Sequence, residues 1–150
     1  MSQEVRLATL EDLNDLVVLG EASFRSGGLN DYYEYDIDTA IQEFTSMVES
    51  TAKILIVLVT SEGVKGMFGA VAINALFGKG IVTYEQYIYI DEKYRGGYVM
   101  KRFMTAYAHW GKELGAVMQG VCSIKEHEKL ERFYGLFGYT PVDRVYARSI

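Results

Sequence analysis

Cysteine is almost missing from this sequence: Cys122 stands alone among 150 residues. A single thiol excludes an internal disulfide and a cysteine-rich zinc site. Histidine occurs twice, at His109 and His127. That is too few for a histidine-based metal centre, so no metal is expected. Proline occurs once, at Pro141, and no proline-rich linker divides the chain. Long apolar runs are missing too. The longest, Ile54 to Val59, is strand-sized and far short of the ~20 residues that span a bilayer. The opening residues Met1, Ser2, Gln3 and Glu4 lack the basic-then-apolar pattern of a secretion signal. These absences predict a soluble, cytoplasmic protein with no membrane partner. Positive charge is also short: 15 Lys and Arg face 20 Asp and Glu, for a net charge of −5. That balance argues against nucleic acid and anionic lipid as partners. A cationic or neutral small partner fits better.

What is present is enough apolar material for a core. Hydrophobic residues make up 49% of the chain and charged residues 23%, which excludes extended disorder. The length suits one domain over residues 1–150. Val5 to Ala8 reads as a first strand. Thr9, with Asp12 three residues on, then caps a helix carrying Leu13, Leu16, Val17 and Phe24 at helical spacing. Ser26-Gly27-Gly28 ends it. After a polar, aromatic loop, Asp36 or Asp38 caps a second helix, with Ile37, Ala40, Ile41, Phe44, Met47 and Val48 on one face. The period then switches to that of strands over 53–60, 67–77 and 81–90, separated by Ser61-Glu62-Gly63 and Gly78-Lys79-Gly80. Val99, Phe103, Tyr107, Trp110 and Leu114 restore the helical stripe, and Gly115 stops it. Ala116 to Cys122 is another apolar strand. Ser123 with Glu126 suggests a capping box for a last helix lined by Leu130, Phe133, Tyr134 and Phe137. Residues 139–148 close the chain as strand and turn.

The three middle strands suit an antiparallel meander. The strand–helix–strand unit over 81–122 is a crossover, so its two strands should be parallel neighbours. The expected fold is α+β: a mixed, twisted sheet with helices on both faces.

Two segments carry chemistry. In the first, a strand ends near Ile88, Tyr89 and Ile90. A short turn holds Arg95, Gly96 and Gly97, and a helix begins at Tyr98, Val99, Met100 and Lys101. Free amides at a helix start form an anion site, and glycines allow close approach of a phosphate. A plain strand-to-helix turn is the competing reading. The second segment runs from Ser123 to Tyr139 and ends Arg132-Phe133-Tyr134-Gly135-Leu136-Phe137-Gly138-Tyr139.

Together the two segments resemble the GNAT (Gcn5-related N-acetyltransferase) family. Arg95 matches the first position of that family's phosphate loop. Tyr98 and Met100 stand where its two signature glycines are expected, and Gly97 could take over with a one-residue shift. Phe133, Tyr134, Gly138 and Tyr139 match the second motif, with His127 at its asparagine position and Leu130 at its small-residue position. The resemblance implies one GNAT-like domain that uses acetyl-CoA as co-substrate and acetylates a primary amine. The pantetheine would pair with backbone near Ile88, Tyr89 and Ile90, and the pyrophosphate would rest on the amides from Arg95 to Lys101. A backbone N–H near Tyr89 or Ile90 would steady the oxyanion. It further implies that Tyr134 protonates the departing thiolate.

Glu85 is the candidate base. It sits mid-strand among apolar residues, where a carboxylate is costly unless it faces a polar cleft; an exposed strand face is the alternative. His127 has a suitable pKa range for a base, but its motif position favours cofactor contact or helix-start packing. His109, one step off the apolar stripe, should face solvent. Cys122 reads as a small core residue. Asp31, Tyr32, Tyr33 and Glu34 mix carboxylates with aromatics, which attract cations. An ammonium-bearing acceptor follows: a small amine, a lysine or a protein N-terminus. A solvated loop is the alternative there. Tyr107, Trp110 and the segment from Tyr139 to Tyr146 either complete the core or make a homodimer face. A catalytically inactive binding protein on the same fold is the second functional reading, because both signature glycines are replaced.

Overall fold

The apolar run at 54–59 must be hidden on both sides, and the fold is built around it. A computed structural model of the protein describes residues 2–123 and 127–150. Five strands form one sheet in chain order: β1 (Glu4–Leu7), β2 (Lys53–Thr60), β3 (Gly63–Asn74), β4 (Ile81–Ile90) and β5 (Ala116–Gly120). The β1–β2, β2–β3 and β3–β4 pairs are antiparallel, and β4–β5 is parallel. The helices are α1 (Leu13–Ser26), α2 (Ile37–Glu49), α3 (Gly97–Leu114) and α4 (Glu128–Leu136).

Side chains alternate across a strand, and β2 uses both faces. Leu55 and Val57 pack with Leu16 and Leu19 of α1 and Phe44 and Met47 of α2. Ile54, Ile56 and Leu58 pack with Val99, Phe103, Met104 and Tyr107 of α3 and Tyr134 of α4. The mixed α+β sheet with helices on both faces is thus as expected. So are the meander and the parallel crossover.

Local rules explain the helix starts. Thr9 donates its N–H to Asp12 Oδ2 at 2.8 Å, and Arg6 clamps the same carboxylate at 2.8 and 2.9 Å. A single 3-10 turn over Leu10–Asp12 leads into α1. Asp36 caps α2 by accepting from Thr39 N–H at 2.8 Å.

Three expectations need correction. Residues 139–148 contain no strand: beyond half-buried Tyr139, residues 140–150 are exposed and outside the sheet. Val142, Val145 and Tyr146 find no apolar surface within the chain, so the pattern alone does not make a strand. His127, not Ser123, caps α4: its Nδ1 accepts from Leu130 N–H at 3.1 Å. Glu126, the other half of the expected box, lies outside the described residues. Cys122 is exposed, not core, because β5 ends two residues earlier. Tyr107 goes fully to the core and Trp110 packs partly against it. That removes Tyr107 from a dimer face.

The feature that positions the site is a fork. β4 and β5 pair only from Ile81 to Tyr84, where Tyr84 faces Gly120. β4 then continues to Ile90, still paired with β3. The buried Tyr107 hydroxyl stands at the fork. It donates to Gly120 O and accepts from Thr83 Oγ1, both at 2.8 Å. One helix residue thus ties together the last paired residues of both strands. Gly120 is needed there, since a Cβ would lie 2.7 Å from the Tyr84 ring.

Tyr107→Phe keeps the ring and removes both hydrogen bonds, leaving Thr83 and Gly120 short of a partner. Urea unfolding should show a loss of about 1–3 kcal/mol with an unchanged denaturant slope.

Candidate active site

Beyond the fork, Glu85 to Ile90 have β3 on one side and, among the described residues, no strand on the other. A strand edge without a partner leaves amides and carbonyls free for an extended ligand. A bulge aims the side chains of this stretch. Ala70 pairs with Glu85 and Gly69 with Tyr87, so Gln86 is the extra residue. A bulge resets the alternation of a strand. Thr83 and Glu85 therefore share a face with Ile88 and Ile90, toward α3 and α4, while Tyr87 and Tyr89 turn to α1 and α2. Tyr87 fills the space that Gly69 leaves, because a Cβ at Gly69 would lie 2.5 Å from its ring.

Glu85 is 4% exposed, which removes the exposed-face alternative. Its neighbours come from β5 and α4. Cys122 Sγ lies 3.5 Å from Glu85 O, and Tyr134 donates to Cys122 O at 2.9 Å. Burial pushes the Glu85 carboxyl up to about 7, opposed by the Cys122 backbone and the nearby Tyr134 hydroxyl. Burial first, and the Glu85 charge second, raise the Tyr134 phenol. Desolvation and Glu85 raise the Cys122 thiol as well, which disfavours a reactive thiolate. The buried Tyr134 hydroxyl is thus held as a neutral proton donor at the fork.

Glu85 Oε1 and the Tyr87 hydroxyl are buried and find no hydrogen-bond partner among the described residues. Both belong to the part of β4 that β5 leaves. Buried polar groups are almost always paired, so the Glu85 orphan, on the face toward α4, marks a place for a ligand; Tyr87 lies on the opposite face, against α1 and α2.

The strand leads, through a 3-10 turn over Glu92–Tyr94, to an anion-suited turn. Arg95 folds back, its Nε donating to Ile90 O at 2.8 Å and its guanidinium 5.5 Å from the Tyr89 ring centroid. α3 starts at Gly97, and its first turn carries no acidic residue. The leading amides of a helix lack internal acceptors. A Cβ on Gly96 or Gly97 would meet nothing within 4 Å, so the approach is open. Tyr98 lies along its own helix, accepting from Arg102 at 2.8 Å under the guanidinium. Val99 is buried and Met100 packs against the core; Lys101 is exposed at the start of the helix. These residues fit a CoA-like group: open strand backbone for an amide chain, then bare amides and cations for phosphates.

Other candidates fall elsewhere. Asp31, Tyr32, Tyr33 and Glu34 are all exposed between α1 and α2. Tyr33 sets its edge on Phe24 with ring centroids 5.2 Å apart. No hydrogen bond or ring contact joins the four to Glu85 or Tyr134 among the described residues. His127 is exposed and spends Nδ1 on capping α4. His109 faces solvent beside Glu113 at 3.1 Å, as expected. Among the described residues no helix is long and apolar enough to cross a membrane. Nor do three His, Cys, Asp or Glu residues among them group as a metal would need. Sequence reasoning missed Thr83, Tyr87 and Tyr107. Thr83 and Glu85 carried one signal, polar side chains two apart in an apolar strand.

Known proteins share this fold. The model of the acetyltransferase (GNAT) family matches residues 21–139. No curated protein matches the sequence. Among solved structures, a transcriptional regulator from Bacillus halodurans C-125 superposes with a TM-score of 0.81 at 16% identity, covering 99% of this chain and 100% of its own. A ribosomal-protein-alanine N-acetyltransferase from Brucella melitensis biovar Abortus 2308 gives 0.73 at 11% identity, covering 99% of each. AAC(6')-Iy, in complex with a bisubstrate analogue, CoA-S-monomethyl-acetylneamine, gives 0.79 at 12%, covering 100% of this chain and 99% of its own.

The Glu85 carboxyl offers a direct check. Between an ordinary value of 4.5 and the raised value of about 7, the folded protein holds a proton that the unfolded chain has lost. Stability should therefore fall as pH rises through that window and level off above it. Glu85→Gln removes the dependence, gaining up to about 3 kcal/mol on wild type between pH 4.5 and 8. Urea unfolding at both pH values reads this, and a pH-independent difference contradicts it.

Proposed function

The chain belongs to the GNAT acetyltransferase family, and from that premise we propose that it is an N-acetyltransferase that moves the acetyl group of acetyl-CoA directly to a primary amine. The observation that carries this reading is the open edge of β4, with the Glu85 carboxyl buried beside it and short of a partner. When bound, acetyl-CoA supplies an acetyl thioester already activated for attack by an amine.

The chain supplies the rest. Backbone groups at Ile88, Tyr89 and Ile90 hold the extended pantetheine arm as a neighbouring strand would. Amides from Gly97 onward, with Arg95, Gly96, Tyr98, Val99, Met100 and Lys101 around them, cradle the pyrophosphate. His127 offers Nε2 to the cofactor. A β4 N–H near Tyr89 or Ile90 stabilises charge developing on the acetyl oxygen. Glu85 accepts the amine proton, directly or through water. A carboxyl with a pKa near 7 is matched to that task at neutral pH, and activity should rise with pH through about 7 as Glu85 ionises. Tyr134 gives its proton to the departing thiolate.

The acceptor is a small cationic amine, a lysine or a protein N-terminus. Asp31, Tyr32, Tyr33 and Glu34 attract it by charge and ring faces. The protein works in the cytoplasm, without metal.

A second reading keeps the fold and drops the chemistry: a binding protein acting through protein contacts. The side chains at Tyr98 and Met100 favour it. The orientation of Tyr98 along α3, away to Arg102, supports the enzyme.

Release of the CoA thiol, followed with a panel of amines, tests the proposal. Amine-dependent release should occur in wild type, and Tyr134→Phe should lower kcat about 100-fold with little change in the acetyl-CoA KM. Asp31→Asn with Glu34→Gln should raise the amine KM alone. No release with any amine, from a protein that still folds, would favour the binding protein.

A further inference from the structure

The 3-10 turn over Glu92–Tyr94 stands between the open edge of β4 and the first amides of α3. Its orientation sets how those amides lie relative to the strand. Inside the turn, Tyr94 N–H donates to Asp91 O at 2.8 Å and Lys93 N–H to Asp91 Oδ1 at 3.1 Å. These bonds shape the turn without aiming it. Asp91 N–H reaches Lys65 O at 2.8 Å, which holds only its beginning. A further hold comes from the neighbouring hairpin.

The turn between β2 and β3 is Ser61-Glu62. Glu62 Oε1 accepts from the Tyr94 hydroxyl at 2.6 Å and pairs with Lys93 Nζ. Tyr94 is 8% exposed, and its ring belongs to the core that packs α3 on the sheet. The side chains of Glu62 and Lys93 are about half exposed, and a surface ion pair of this kind holds little. The Tyr94 hydroxyl, carried on a buried ring, is the firmer partner.

Glu62 is held in its turn. The Thr60 hydroxyl accepts from Glu62 N–H and donates to Gly63 O, both at 3.1 Å. Asp15 of α1 accepts from Val64 N–H at 3.0 Å. Gly63 has a φ of +101°, and a Cβ there would lie 2.7 Å from Asp15 Oδ2. Only glycine suits that conformation and that approach. Hydrogen bonds thus anchor the hairpin to α1 on one side and the 3-10 turn to the hairpin on the other.

We propose that Glu62 is a positioning residue for the cofactor site: through the Tyr94 hydroxyl it fixes the direction in which the 3-10 turn presents Arg95 and the leading amides of α3 to a pyrophosphate. The role rests on the acetyl-CoA reading above. It runs against what the charge of Glu62 does alone, since a carboxylate near an anion site repels the anion. Removing a mere charge should tighten cofactor binding. Removing a hold should loosen it. The two roles have opposite signs.

Calorimetric titration with acetyl-CoA separates them. Glu62→Ala and Tyr94→Phe should each raise Kd about 10-fold, the worth of one charge-assisted hydrogen bond. Combined, they should cost no more than either alone, because both remove the same bond. Glu62→Gln keeps an oxygen for the Tyr94 hydroxyl and should raise Kd only about 3-fold, as a neutral bond is roughly half as strong. Circular dichroism checks that each variant folds; if Glu62→Ala does not, Tyr94→Phe and Glu62→Gln decide. Unchanged or tighter binding in Glu62→Ala or Tyr94→Phe would overturn this inference alone, as would equal losses in Glu62→Gln and Glu62→Ala. A wild type that binds no acetyl-CoA would overturn the proposed function and this role with it.

Discussion

Two parallel strands that part company leave backbone groups without partners, and something must hold the point of separation. Here it is the hydroxyl of Tyr107, bonded to Thr83 on β4 and to the Gly120 carbonyl on β5. The residue is completely buried, with its ring 4.9 Å from Phe68. Its position is therefore set by the packing of α3 on the sheet. Core packing on one side thus fixes where the sheet opens on the other. Every proposed role at the site depends on that opening: the free β4 edge, the Glu85 pocket and the hold of Tyr134 on Cys122.

The opening also sets the electrostatics. Glu85 is far from water, and the described charges of the protein offer it no ion pair. Its carboxyl is pushed up chiefly by lost solvation. Tyr134 stays a neutral phenol for the same reason, reinforced by the nearby carboxyl. A base near neutrality and an acid held protonated thus arise side by side from one cause. The anion-suited turn lies at the other end of the same strand. Arg95 there is exposed but folds back onto β4, tying the Ile90 carbonyl to the start of α3. Between the open strand edge and the free leading amides of α3 stands a 3-10 turn over Glu92–Tyr94, in which the Lys93 and Tyr94 amides are bonded within the chain.

Much of this was legible in the residues. The almost continuous apolar run of β2 announced a strand buried on both faces, and the stripe from Val99 to Tyr107 announced α3. Arg95, Gly96 and Gly97 pointed to the turn, and Tyr134 to the last helix. What stayed hidden depends on pairing between distant segments. Nothing local in Tyr84-Glu85-Gln86-Tyr87 shows that Gln86 bulges, because a bulge is defined by the partner strand. Without it, simple alternation would put Tyr87, not Ile88, on the Glu85 face. Cys122 was misjudged because the end of β5 is decided by where Tyr107 stops the pairing. The closing segment was misjudged in an instructive way. Its pattern suits a strand, yet a strand needs a neighbour, and it has none among the described residues.

The central claim is that the turn after β4 and the open β4 edge form one cofactor track. Calorimetric titration of the wild-type protein and Gly97→Asp with acetyl-CoA tests it most directly. A Cβ at Gly97 meets nothing, and a carboxylate at a helix start is favourable by about 0.3–1 kcal/mol. The variant should therefore fold at least as well as wild type while opposing a pyrophosphate. The account predicts micromolar binding by wild type and loss of binding in the variant at unchanged or higher melting temperature. Equal binding by both proteins, or none by wild type at millimolar acetyl-CoA, would contradict it.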